Sequence, residues 1–201
     1  MTQLHDTKQR LLDTARDLFY ARSYEDVGVQ EICQQAGVKK GSFYHFFPSK
    51  RDLTLVMMDE SWKQFRDTLL ADVFVRDIPP LDRLQRLLDM QYRHHTAVKE
   101  QTGQVFGCPF GNLAGEMSTQ DEVIRERLKR IFRDLATPIE TVLSEAVATG
   151  DLSALDSRAT ASAMVAYLEG LTLMAKTNND PEIIRQLGPA MLKLAVAKGG
   201  H

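Results

Sequence analysis

Apolar positions along this chain recur at the three- and four-residue intervals of an α-helix, and no segment of any length alternates as a half-buried strand would. Near the amino end Leu11, Leu12, Ala15, Leu18 and Phe19 make one apolar face, and Asp6 followed by Gln9 reads as a capping box opening that helix. The run 29–50, VQEICQQAGVKKGSFYHFFPSK, divides into two short helices about a glycine. Ile32, Ala36, Val38, Phe43 and Phe46 are spaced to be buried together where the two helices cross, with Cys33 a small side chain at their close approach. Gly37 falls where the first of them must stop, because glycine reaches left-handed backbone without a steric penalty. The Phe43/Phe46 stripe turns Lys39, Lys40, Ser42, Tyr44 and His45 outward, a set of donors suited to phosphate and base edges. Pro48 closes this helix, and Ser49-Lys50-Arg51-Asp52 caps the next with Lys50 near the DNA backbone.

The remaining pattern is a succession of longer helices. Leu53, Val56, Met57, Ser61, Phe65 and Leu69 mark one side of a helix over 50–70, long enough to connect a small first domain to the rest. Asp77 and Pro79-Pro80 break the pattern, a helix follows over 81–99, and the glycine-rich GQVFGCPFGN precedes a short helix. Thr119 and Glu122 read as a second capping box, starting a long helix to Thr149 that Pro138 should kink. Gly150 ends it, Asp156 opens another, and Asp180-Pro181-Glu182 opens the last. The expected fold is all-α: a three-helix helix-turn-helix domain over 1–50, a connecting helix, and a larger helical domain within 51–201.

Composition narrows what these helices do. With 201 residues, 43% of them apolar, the chain can bury a real core, and a net charge of −2 confines any nucleic-acid binding to a local patch. No apolar stretch of about 18 residues is free of charge, and MTQLHDTKQR lacks the apolar core of a secretion signal, so a cytoplasmic protein is expected. Cys33 and Cys108 provide neither a disulfide framework nor metal-ligand spacing. His94 and His95 point about 100° apart on a helix with no third ligand at suitable spacing, which predicts solvated or lightly hydrogen-bonded imidazoles. Glu100, Glu116 and Glu169 are single helical carboxylates, and no serine stands in a nucleophile elbow. Neither an enzyme, a metal site nor a cofactor is expected.

Leu11-Leu12, Ala15, Leu18-Phe19, Ala36-Gly37-Val38 and the run from Lys40 through Gly41, Ser42, Phe43, Tyr44, His45, Phe46, Phe47, Pro48 and Ser49 to Lys50 resemble the amino-terminal domain of the TetR family of regulators. Gly28 departs from the Ser or Thr commonly found at the start of the second helix in that family, so a side-chain phosphate contact is lost there. The resemblance places Lys39, Lys40, Gly41, Ser42, Tyr44, His45 and Lys50 at a double-stranded operator. It also implies a homodimer that reads a near-palindromic site through recognition helices roughly 34–36 Å apart, with repression relieved by ligand.

The chain offers residues for both further roles. Ala159, Ala163, Ala166 and Gly170 put small residues on one helical face while Val165, Leu168, Leu171 and Leu173 cover others, and Ile183, Leu187, Met191 and Leu194 form a stripe on the last helix. Ala163, Ala166, Gly170, Leu187 and Met191 are therefore expected at the dimer interface. Met57, Trp62, Phe65, Met90, Phe106, Cys108, Phe110 and Met117 are expected to line an adaptable pocket for a small apolar or electrophilic effector, within a middle layer that also holds Met58, Tyr92 and Phe132. Cys108 stands just before Pro109 at the start of a helix, where the dipole would activate a thiol. An alternative is control by a protein partner docking on the carboxy-terminal domain.

Overall fold

The computed structural model describes residues 2–196, with side chains from Asp6 onward, and among them helices and turns account for all regular structure. In chain order the helices are α1 (Thr2–Ala21), α2 (Val29–Gln35), α3 (Lys40–Phe46), α4 (Lys50–Thr68), α5 (Pro80–Thr102), α6 (Pro109–Met117), α7 (Glu122–Thr149), α8 (Ser157–Asn178), α9 (Glu182–Leu187) and α10 (Pro189–Leu192). A π-helical turn, Leu69–Val73, extends α4, and a 3₁₀ turn, Lys193–Ala195, follows α10. The chain divides into two compact units, one formed by residues up to Gln64 with Pro109–Leu128, the other by Phe65–Cys108 with the residues from Lys129 on.

In the first unit Leu11, Ala15, Ile32, Phe43 and Leu53 lose all exposure to water, so α1 to α4 share one core. The α2–α3 turn is a Schellman motif: the Val38 amide donates to Cys33 O (2.8 Å) and the Gly37 amide to Gln34 O (3.2 Å), with Gly37 at φ +64°. The buried partner of Phe43 is Phe47, the residue that caps the end of α3, 2% exposed, whereas Phe46 is only half-buried. Residues four apart share a helical face more closely than residues three apart. The cap at α4 forms as expected, with the Asp52 amide donating to Ser49 Oγ (3.1 Å) and that hydroxyl to the Asp52 carboxylate (2.6 Å).

Two other expected caps do not form. Helix α1 begins ahead of Asp6, which lies inside it, exposed, in a 3.6 Å ion pair with Arg10; nothing in TQLHD breaks a helix, so propensity carries the first turn further out. At α7 the cap is Asp121, whose Oδ1 accepts from the Val123 and Ile124 amides (2.9 and 3.0 Å). A carboxylate two residues nearer the helix than Thr119 satisfies the first free amides better.

In the second unit α7 continues through Pro138 as one helix to Thr149, and Asp156 Oδ1 caps α8 through the Ala159 amide (2.9 Å). The buried Arg83 guanidinium donates to Ile78 O (3.0 Å) and Arg76 O (3.3 Å) and pairs with Glu145, fixing the turn ahead of α5. The single last helix expected from the pattern is two, α9 and α10, because Pro189 cannot donate its amide and restarts the helix after Gly188. A methyl on Gly188 would lie 2.4 Å from Ile184 O and 3.1 Å from Leu88 Cδ2, so this junction packs directly on α5.

Candidate nucleic-acid interface and effector region

Helix α3 presents a polar face on an apolar support. Phe43 is sealed beneath it, while Lys39, Lys40, Gly41, Tyr44 and His45 are exposed and Ser42 is half-buried. Tyr44, 51% exposed, stands edge-on against Phe43 with ring centroids 5.2 Å apart, which holds the phenol in place at the surface. Cys33, buried under α2, has its thiol pushed up by burial, with the Lys40 ammonium opposing, so it is an inert packing residue rather than a nucleophile.

Lys50 departs from its expected role at the DNA backbone. Its ammonium donates to Tyr24 O (2.9 Å) and Val27 O (3.2 Å) and lies 3.9 Å over the Tyr24 ring, so it ties α4 to the α1–α2 turn. Burial pulls its pKa down while Glu25 and Glu116 push it up. Burial also raises the pKa of the Tyr24 phenol, helped by Asp121.

Glu116, which pattern reasoning left as a lone carboxylate, closes the same corner from α6. It accepts the Tyr24 and Glu25 amides at 2.9 and 2.7 Å, charge-assisted bonds to two otherwise free backbone donors. Arg51 reaches Asp121 at 3.5 Å and Arg127 pairs with Asp59, so the start of α7 is clasped to α4 by charge. No local signal marks these pairs, because the partners lie far apart in sequence.

The residues expected to line one pocket fall in different places. In the first unit Met57, Trp62, Phe110 and Met117 are buried, with the Trp62 and Phe110 rings packed edge-to-face at 6.3 Å. In the second unit Phe65, Met90, Phe106 and Cys108 are half-buried. The loop leading to Cys108 is docked on the end of α8. Asn179, in left-handed backbone at φ +48°, accepts the Val105 amide (2.8 Å) and donates to Gly103 O (3.1 Å). Val105 packs with Ala175 and Ile184, and Gly107, at φ +76°, lies where a methyl would come within 3.2 Å of the Lys176 side chain. The Cys108 thiol hydrogen-bonds the Glu169 carboxylate of α8, which burial pushes above the usual carboxylate range. Cys108 is thus ordered beside a proton acceptor as well as placed at the start of α6.

His95 corrects the expectation of a solvated imidazole: it is 1% exposed, and neither ring nitrogen has a hydrogen-bond partner among the described residues. His94 beside it is exposed.

Of the residues expected between two copies, Ala163, Ala166 and Gly170 lie exposed along α8, continued by Leu173 (60% exposed) and Met174 (47%). Leu187 is exposed on α9, but Met191 is wholly buried within the second unit and is not available to a partner. After the break at Pro189 the apolar stripe no longer follows one helical face, so Ile184 and Met191 turn inward while Leu187 and Leu194 turn out.

Comparison with known proteins adds to this geometry. Residues 11–57 match the model of bacterial regulatory proteins of the tetR family, and residues 80–191 match the tetracyclin repressor-like C-terminal domain. An HTH-type transcriptional regulator from the lacX 3′ region of Lactococcus lactis subsp. lactis is 32% identical over 90% of this chain and 89% of its own. The HTH-type transcriptional repressor DhaR of Mycobacterium sp. strain GP1 is 28% identical over 89% of this chain and 87% of its own. Among solved structures, a regulatory protein from Rhodobacter sphaeroides superposes with a TM-score of 0.83 at 29% identity, covering 94% of this chain and 98% of that one. The reduced form of Escherichia coli NemR superposes with a TM-score of 0.82 at 23% identity, covering 98% of this chain and all of that one.

Proposed function

The chain belongs to the TetR family of transcriptional regulators, and on that premise we propose that it is a repressor that binds a near-palindromic operator as a homodimer and lets go when a small apolar or electrophilic effector occupies its carboxy-terminal domain. The observation that carries this reading is the outward face of α3. Lys39, Lys40, Ser42, Tyr44 and His45 are presented together on a helix whose other side is locked by Phe43 and Phe47, with Gly41 allowing close approach. With a net charge of −2 and one short basic patch per chain, a single copy binds weakly, and two linked patches are needed for useful affinity. The exposed small and apolar face of α8 and α9 supports pairing with a second copy. Residues 1–50 then serve as the reading head and 51–201 as the sensing and dimerising body. Work on the chromosome places the protein in the cytoplasm.

Cys108 supports an electrophilic effector. As its sulfur adds to the β-carbon of an activated alkene, the S–C bond forms and the C=C π bond breaks; the thiol proton passes to Glu169, which already accepts it in a hydrogen bond, and from there to the α-carbon of the resulting enolate. No oxidant is required.

The test uses a duplex selected from random sequence by the wild-type protein. Exchanging Lys40 and Tyr44 together for alanine should abolish binding with the fold intact, and Lys40→Ala alone should reduce the salt slope by about one counterion. Binding that survives the double exchange would show that α3 is not the reader. N-ethylmaleimide should release the duplex from wild type but not from Cys108→Ser, and a thiol that reacts without changing DNA affinity would remove the electrophile from the reading.

A further inference from the structure

Helix α5 directs one face into the second unit, and a polar residue stands at the centre of that face. Leu84, Leu88 and His95 follow one stripe at helical spacing, with Leu87 beside them, and all four are at most 3% exposed. Gln91 lies one turn before His95 on the same stripe and brings a half-buried amide. The His95 imidazole keeps 1% of its exposure, yet among the described residues neither Nδ1 nor Nε2 meets a donor or acceptor. Buried polar groups are nearly always paired, and leaving two positions of one ring open is strongly unfavourable unless something else uses them. Apolar surroundings and the neighbouring His94 keep the ring neutral at physiological pH. A neutral imidazole offers one N–H donor and one bare nitrogen acceptor, and no countercharge.

We propose that His95 is the polar anchor of an effector site inside the second unit, and that the site takes a neutral organic molecule carrying a carbonyl or hydroxyl on an otherwise apolar body. The proposal rests on the ligand-responsive reading above and names the chemistry that reading left open. A carbonyl oxygen accepts from the ring N–H, or a hydroxyl donates to the bare nitrogen, while the apolar face around Leu84 and Leu87 receives the hydrocarbon. The Gln91 amide supplies a second donor and acceptor one turn away. A carboxylate is disfavoured, because Arg83, the buried cation one turn before Leu87, is already paired with Glu145 and is not free to balance a second charge taken out of water.

The probes are acetophenone and 2-acetylnaphthalene, each paired with the hydrocarbon of matching shape, isopropenylbenzene and 2-isopropenylnaphthalene, with 2-naphthoate as the anion. None of them alkylates a thiol, so Cys108 plays no part in the result. Wild-type homodimer should bind at least one ketone about ten-fold more tightly than its hydrocarbon, and naphthoate no better than the hydrocarbon. In His95→Leu the ketone and its hydrocarbon should bind within about two-fold of each other, while His95→Gln, which restores a donor and an acceptor, should keep part of the preference. The ligand-free His95→Leu protein should melt at or a few degrees above the wild-type temperature, since an open polar ring is exchanged for a leucine. The proposal is overturned by equal binding of ketone and hydrocarbon to wild type, by a preference that survives in His95→Leu, by no probe binding, or by a lowered Tm in His95→Leu. In the last case the ring is a packing residue, its nitrogens served by ordered water. Operator binding and its release by N-ethylmaleimide, measured on the same wild-type preparation, report separately on the regulator reading.

Discussion

Burial without a partner pushes the His95 imidazole down to about 4, and that gives the protein a titration signature. Between there and the ordinary histidine value near 6.5 the unfolded chain takes up a proton that the folded chain refuses, so stability falls as pH falls through this window. The full effect is on the order of 3 kcal/mol. Wild type should therefore lose Tm between about pH 6.5 and 4 more steeply than His95→Leu, in thermal melts taken across that range. A smaller slope remains in the variant, because the packing around its ring lowers His94 as well, although part of that side chain reaches solvent. Lys50 and Lys40 should separate cleanly at this scale. Lys50→Met removes an ammonium that two carbonyls and a ring surround, and should lower stability by about 1–3 kcal/mol at any salt concentration. Lys40→Ala, on the surface, should leave Tm unchanged and alter only the salt dependence of operator binding. The two lysines look alike in the sequence; only Lys50 lies near the backbone carbonyls of a chain segment more than twenty residues away.

Among the elements, α6 matters more than its nine residues suggest. Through Glu116 it completes the hydrogen bonding of the α1–α2 turn, and it follows directly on the loop that carries Cys108. Glu116→Gln keeps one acceptor oxygen but loses the charge, and should weaken operator binding several-fold without touching DNA, by loosening the corner that Lys50 shares. Fluorescence anisotropy of a labelled duplex, alongside far-UV circular dichroism to show that the helices persist, would measure this. Helix start signals were legible where a single strong cap competes with nothing, as at Ser49 and Asp156, and misleading where a better acceptor stood closer to the helix, as with Asp121 over Thr119. The Schellman turn at Gly37 was legible because the left-handed residue there is a glycine. The equivalent turn at Asn179 was not, since asparagine serves there for its side chain as well as its backbone.

For the whole molecule, two-fold pairing should govern function. Gly170 faces open space, so Gly170→Arg can fold as wild type does while placing a charged side chain on the exposed face of α8. It should elute as a monomer in size-exclusion chromatography and bind the selected duplex at least ten-fold more weakly, because one reading head alone has too few phosphate contacts. A variant that stays dimeric with full affinity would move the interface elsewhere. Met191→Ala, by contrast, should lower stability by about 2–5 kcal/mol, the penalty of emptying a core position.

The sequence by itself determined the fold class, the helix-turn-helix and the face of α3, because each rests on local spacing: an apolar stripe that must be buried, a glycine where the backbone must reverse, and polar residues left over on the far side. Tertiary structure alone decided the fate of side chains whose neighbours are distant. It turned Lys50 from a surface cation into an internal tie, gave Glu116 its two amides, set Glu169 beside Cys108, sealed Met191 inside its own unit, and left His95 buried with both nitrogens open. Periodicity says which face of a helix is covered; what covers it depends on contacts between segments tens of residues apart, which no local pattern contains.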